Sequence, residues 1–109
     1  MKKLKYNNKK TIVDGITFDS KKEAARYSQL KLLERANKIS DLKLQVMFTL
    51  APSVKVQKRK RPPLVYIADF VYTENNSKVV EDCKGVRTEG YRIKRHLLMA
   101  THGIEILET

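Results

Sequence analysis

The strongest constraint in this chain is a pair of β-prone runs, residues 64–72 and 78–84, that meet at Asn75-Asn76. Both runs are rich in aromatic and β-branched residues, and Asn tolerates the positive φ that a two-residue hairpin loop demands. With those two residues as the loop, residue 74 faces 77, and Asp69 falls opposite Asp82. Their Cβ atoms would then lie roughly 5 Å apart on one face. Strand alternation gives Asp69 the face-mates Val65, Ile67 and Val71, gives Asp82 the face-mate Val80, and puts Lys84 beside Asp82. Like charges so placed oppose strand pairing and raise the pKa of one carboxyl unless something neutralises them. A divalent cation such as Mg²⁺ removes the conflict, because it accepts hard oxygens that converge on a point. The plainer alternatives are a solvated Asp69, and an Asp82 paired with Lys84 or an arginine.

The rest of the chain supplies a frame for that hairpin. Asp14-Gly15 between two short apolar runs predicts a second hairpin over residues 11–18. Ser20-Lys21-Lys22-Glu23 fits a capping box that opens a helix running to about Asn37. Tyr27, Leu30 and Leu33 share one arc of it, with Ala24 and Ala36 at the edges. Residues 39–51 read as a strand with an irregular start, and 52–63 as a basic loop. A second helix over 88–101 carries a stripe of Ile93, Leu97 and Ala100, with Arg92, Arg95 and His96 largely opposite. Gly103 closes it, and 104–107 form a last strand. The expectation is one domain over residues 1–109, α/β of the α+β kind. It has a mixed central sheet of about four strands flanked by two helices, in the order α-β-β-β-α-β, after an N-terminal β-hairpin. Glu23 falls inside the core-facing stripe of the first helix, where a carboxylate needs a cation or good donors. Its simpler role is partner to Ser20 in the capping box. Alternation turns Cys83 away from the aspartates, as a packed residue, and turns Glu81 away unless a bulge intervenes.

Charge narrows the function. Lys and Arg number 23 against 12 Asp and Glu, a net charge of +11, which favours a polyanionic partner. Nucleic acid comes first, since no helix pairs an apolar face with a lysine-lined one for a membrane surface. The basic first ten residues lack the apolar stretch of a signal peptide, and a single cysteine suits a reducing compartment. A cytoplasmic protein with no membrane partner is expected. Lys55, Lys58, Arg59, Lys60 and Arg61 precede the Asp69 strand, and Arg87, Arg92, Lys94 and Arg95 follow Lys84. Both groups would flank the aspartates, where they could grip phosphates. A charge run of this kind also serves as a solvated face.

Tyr66-Ile67-Ala68-Asp69-Phe70 followed by Val79-Val80-Glu81-Asp82-Cys83-Lys84-Gly85 resembles the D…(D/E)xK signature of the PD-(D/E)xK nucleases. The likeness runs from about Tyr6 to Glu108, through Phe18-Asp19-Ser20-Lys21-Lys22-Glu23-Ala24 and Thr88…Tyr91…Lys94. It is similar in particular to small phage-encoded proteins labelled Holliday junction resolvase-like. The resemblance implies a restriction-endonuclease-like core in which Asp69, Asp82, the Cys83 backbone carbonyl and Glu23 hold Mg²⁺, with Mn²⁺ able to substitute. It implies that Lys84 orients or deprotonates the attacking water and that Lys94 stands near the site. Hydrolysis would leave a 5′-phosphate and a 3′-hydroxyl, on branched or duplex DNA, by a homodimer in a bacterial host's cytoplasm. Asp82 stands where many relatives have Glu, a choice the superfamily accepts. Two other readings stay open: a nicking or restriction-like nuclease on plain duplex, and a non-catalytic nucleic-acid-binding module with structural carboxylates.

Overall fold

Asp14 and Gly15, at φ 53° and 75°, turn strand β1 (Thr11–Val13) into β2 (Ile16–Phe18) as the Asp-Gly pair predicts. The structure is a computed structural model that describes residues 9–83 and 86–109. The Ser20 hydroxyl caps helix α1 (Lys21–Arg35) by accepting the Glu23 N–H at 3.1 Å. The chain continues through β3 (Ser40–Ala51), β4 (Val54–Val56), β5 (Arg59–Arg61), β6 (Leu64–Glu74) and β7 (Ser77–Asp82). Helix α2 (Glu89–His102) follows, capped by Thr88, and β8 (Ile106–Glu108) ends the fold. Gly103 stops α2 in the left-handed region, at φ 67°, where a side chain is costly.

Strands β3, β6, β7 and β8 form one mixed sheet in that order; β7 and β8 run parallel and the other neighbours antiparallel. The architecture is therefore the expected one: a mixed four-stranded sheet, two helices and an N-terminal hairpin. The helices cover opposite faces. Helix α1 and the hairpin bury Phe18, Tyr27, Leu30, Phe70 and Tyr72, while α2 buries Phe48, Tyr66, Ala68, Val71, Val80 and Ile106 under Tyr91 and Leu98. The Tyr27 hydroxyl donates to Asp14 Oδ2 at 3.0 Å and ties the hairpin to α1. Glu81 is fully buried on the α1 side, away from the aspartates as alternation predicts. Arg26 grips it with Nε at 2.6 Å and Nη2 at 3.0 Å, and the Tyr72 hydroxyl donates at 2.7 Å. Such a carboxylate is tolerated inside only when its oxygens are satisfied.

Two expectations are corrected. Residues 52–63 hold a ribbon, β4 paired with β5, and not a loop. Its turn uses Gln57 and Lys58 at φ 52° and 63°, residue types that carry no two-residue-turn signal. On α2 the buried residues are Tyr91 and Leu98, with Leu97 half-buried, while Ile93 and Ala100 are exposed. The helix is rotated from its apolar stripe because Tyr91 is anchored: its hydroxyl donates to Glu108 on β8 at 2.6 Å.

Candidate active site

The hairpin register holds from Glu74 opposite Ser77 to Phe70 opposite Glu81, with Asn75 and Asn76 at φ 51° and 63°. One step further the ladder stops, and the Cys83 N–H donates to Asp69 Oδ2 at 2.9 Å. The strands part there, yet the two carboxyl groups still meet, with Asp82 within hydrogen-bonding reach of Asp69. Asp82 is 1% exposed and accepts the Tyr66 hydroxyl at 2.5 Å, a charge-assisted length. Burial, then the Asp82 carboxyl beside it, push the Asp69 pKa up to about 8, against the lowering effect of the Cys83 N–H. Burial and Asp82 likewise push the Tyr66 hydroxyl upward.

The face-mates expected for Asp69 are not assembled. Val71 packs in the α2 core whereas Ile67 is exposed. The reason is an exchange of faces in both strands. Leu42 and Leu44 of β3 pack towards α1, but Val46, Phe48 and Leu50 pack towards α2. In β6, Tyr66 and Ala68 join the α2 core and Phe70 and Tyr72 the α1 core. The exchange falls at Gln45, between the pairs Leu44–Phe70 and Val46–Ala68 and so level with Asp69. Gln45 sits at φ 53°, a left-handed residue inside a strand, which breaks alternation as a bulge does. Its Nε2 donates to Glu23 Oε2 at 3.3 Å and, at the limit of a hydrogen bond, to Asp69 Oδ1 at 3.5 Å. Glu23, 8% exposed, is thereby joined to the aspartates through one amide. Nothing in the sequence marks Gln45, because the even positions 42–50 are all apolar and the odd ones polar apart from Met47. Left-handed non-glycine residues concentrate at functional sites.

Among the described residues, no group of three or more His, Cys, Asp or Glu side chains is arranged to hold a metal ion. What meets is a carboxylate pair with Glu23 one amide away. That donor set fits Mg²⁺, which keeps several waters and binds through one or two carboxylates; a divalent charge also lets neighbouring acids ionise together. Lys84 lies outside the described residues. The Cys83 thiol packs against the α1 core beside Thr109 Oγ1 at 3.2 Å, and burial pushes its pKa up, so it is no nucleophile.

The basic residues named above do not form one patch. Lys55, Lys58, Arg59, Lys60 and Arg61 are all exposed on the β4–β5 ribbon. Lys94 lines a groove of about 390 Å³ whose wall includes Tyr66, the residue whose hydroxyl donates to Asp82, and Tyr91. Arg87 and Arg95 are engaged with Glu108, at 3.0 and 3.1 Å, where phosphate contacts were expected. Arg92, exposed, lines a separate groove with Arg95 and His96. No described helix is long and apolar enough to cross a membrane.

A family model described as "Protein of unknown function (DUF1064)" matches residues 3–106. No curated protein and no solved structure matches the chain.

Proposed function

The chain belongs to the DUF1064 family, and from that premise we propose that it is a metal-dependent DNA endonuclease built on Asp69 and Asp82. The meeting of the two carboxyl groups carries the reading: Asp69 is held near pKa 8 beside Asp82, a conflict that a bound divalent cation relieves. Bound there, Mg²⁺ supplies Lewis acidity towards a phosphodiester and towards water. Asp69 and Asp82 hold it, with the Cys83 carbonyl as a further oxygen and Glu23 acting through Gln45. The Tyr66 hydroxyl fixes one oxygen of Asp82 and the Cys83 N–H one oxygen of Asp69, which holds the pair in place. Lys84, two residues after Asp82, is the group to orient or deprotonate the attacking water. Lys94 stands by to hold a phosphate. Branched DNA is the favoured substrate, from the resemblance to resolvase-like proteins, and a double cut there takes two copies of the chain.

The test is incubation with junction, flap and linear duplex DNA in Mg²⁺ or Mn²⁺. Cleavage that is lost in EDTA and falls more than ~100-fold in Asp69→Asn and Asp82→Asn is expected, beyond the effect of losing a group that merely supports a ligand. Folded protein that cuts none of these substrates in either metal overturns the reading. The net charge of +11 also suits a non-catalytic nucleic-acid-binding module. That module predicts no calorimetric signal for Mn²⁺, whereas the nuclease predicts binding that Asp82→Asn removes.

A further inference from the structure

We propose that the β4–β5 ribbon is a DNA-gripping arm that lies in the major groove of a B-form duplex. It takes DNA as partner from the reading above and adds which element grips it and through which groove.

The ribbon is built against its own stability. Strands β4 and β5 pair only with each other, outside the main sheet, and an isolated two-stranded hairpin is marginal in water. Every residue of it is exposed. Lys55 faces Lys60 directly, and like charges so placed oppose pairing. Its turn puts two non-glycine residues at positive φ, which costs further free energy. No acidic residue occurs between Ala51 and Asp69, although that stretch holds five cations. An array of phosphates relieves the lysine repulsion in the way that a cation relieves the facing aspartates.

Shape selects the groove. Two strands about 4.8 Å apart, with their side chains, fill a B-form major groove of ~12 Å and overfill a minor groove of ~6 Å. The major groove of duplex RNA is too deep and narrow to admit side chains. Position agrees: the ribbon springs from Ala51 opposite Leu64, five residues along β6 from Asp69. At ~3.3 Å per residue that is about 17 Å, half of a ~34 Å helical turn. A scissile phosphate at the aspartates would therefore border the groove that the ribbon enters.

Binding of the full chain to a mixed-sequence DNA duplex, measured in EDTA, separates gripping from cutting. The double variant Lys55→Ala/Lys60→Ala should bind about tenfold more weakly at moderate salt. The slope of log K against log salt should be shallower by about 2, one unit per lost phosphate contact. Dimethyl sulfate footprinting of the wild type, which needs no variant, should show guanine N7 atoms protected in the major groove. Unchanged affinity and slope in a folded double variant, unprotected N7 atoms, or equal affinity for duplex RNA or anionic vesicles would each overturn the proposal. Binding through the arm without cleavage in Mg²⁺ would sink the nuclease and leave the arm. Cleavage with both lysines dispensable would sink the arm alone.

Discussion

Asp69 stays protonated up to about pH 8 in the folded chain, because it is partly buried and lies against another carboxyl. In the unfolded chain an aspartate ionises near 3.8. Between those values the native state binds a proton that the unfolded state has released. The stability this contributes is fully present below about pH 4 and is lost as pH rises towards 8. A divalent ion bound as proposed would act the other way, since it would bind the ionised pair and displace that proton. In EDTA the thermal midpoint should fall between about pH 5 and 8. The rise on adding Mn²⁺ should be larger near pH 8 than near pH 6, and Asp69→Asn should flatten both trends. A Mn²⁺ effect that ignores pH would remove these acids as the binding site.

At the scale of an element, β3 is the unusual one. A regular twelve-residue strand would keep one apolar set on one face, but this strand serves both cores by exchanging faces at Gln45. Its left-handed φ costs about 1–2 kcal/mol for a residue with a Cβ. A β-branched side chain fits that conformation worst and glycine best. Urea unfolding should therefore place Gln45→Val about 2 kcal/mol below Gln45→Gly, with the glycine variant close to wild type. Both variants lose the amide between Glu23 and Asp69, so both should bind Mn²⁺ more weakly. Equal stability of the two would show that the kink is not held by residue 45.

At the scale of the molecule the outline is flat and open, 52 × 47 × 22 Å, with a radius of gyration of 16.1 Å. A compact domain of this length has about 13 Å; the projecting ribbon contributes to the excess. One chain carries one Asp69–Asp82 pair, so on the proposed nuclease reading a single copy would nick and a double cut would need two. On a cruciform plasmid, nicking should rise linearly with protein concentration and linearisation about as its square. Linear product that scales as nicking does would mean that one copy cuts both strands.

Local chemistry was sufficient for the turns and caps. Asp14-Gly15, Asn75-Asn76 and Gly103 act through their own backbone preferences and Ser20 through its hydroxyl, so their roles, and the hairpin register that brings Asp69 towards Asp82, are legible from neighbours alone. The positive-φ turn at Gln57-Lys58 is not legible, because those residue types do not demand it. The rotation of α2 onto Tyr91, the grip of Arg26 on Glu81 and the placing of Glu23 beside Asp69 depend on contacts made across tens of residues. The exchange of faces at Gln45 is the clearest case. The even positions of residues 42–50 form one apolar set as in a single strand, and only two helices packed on opposite sides of the sheet turn that set towards both.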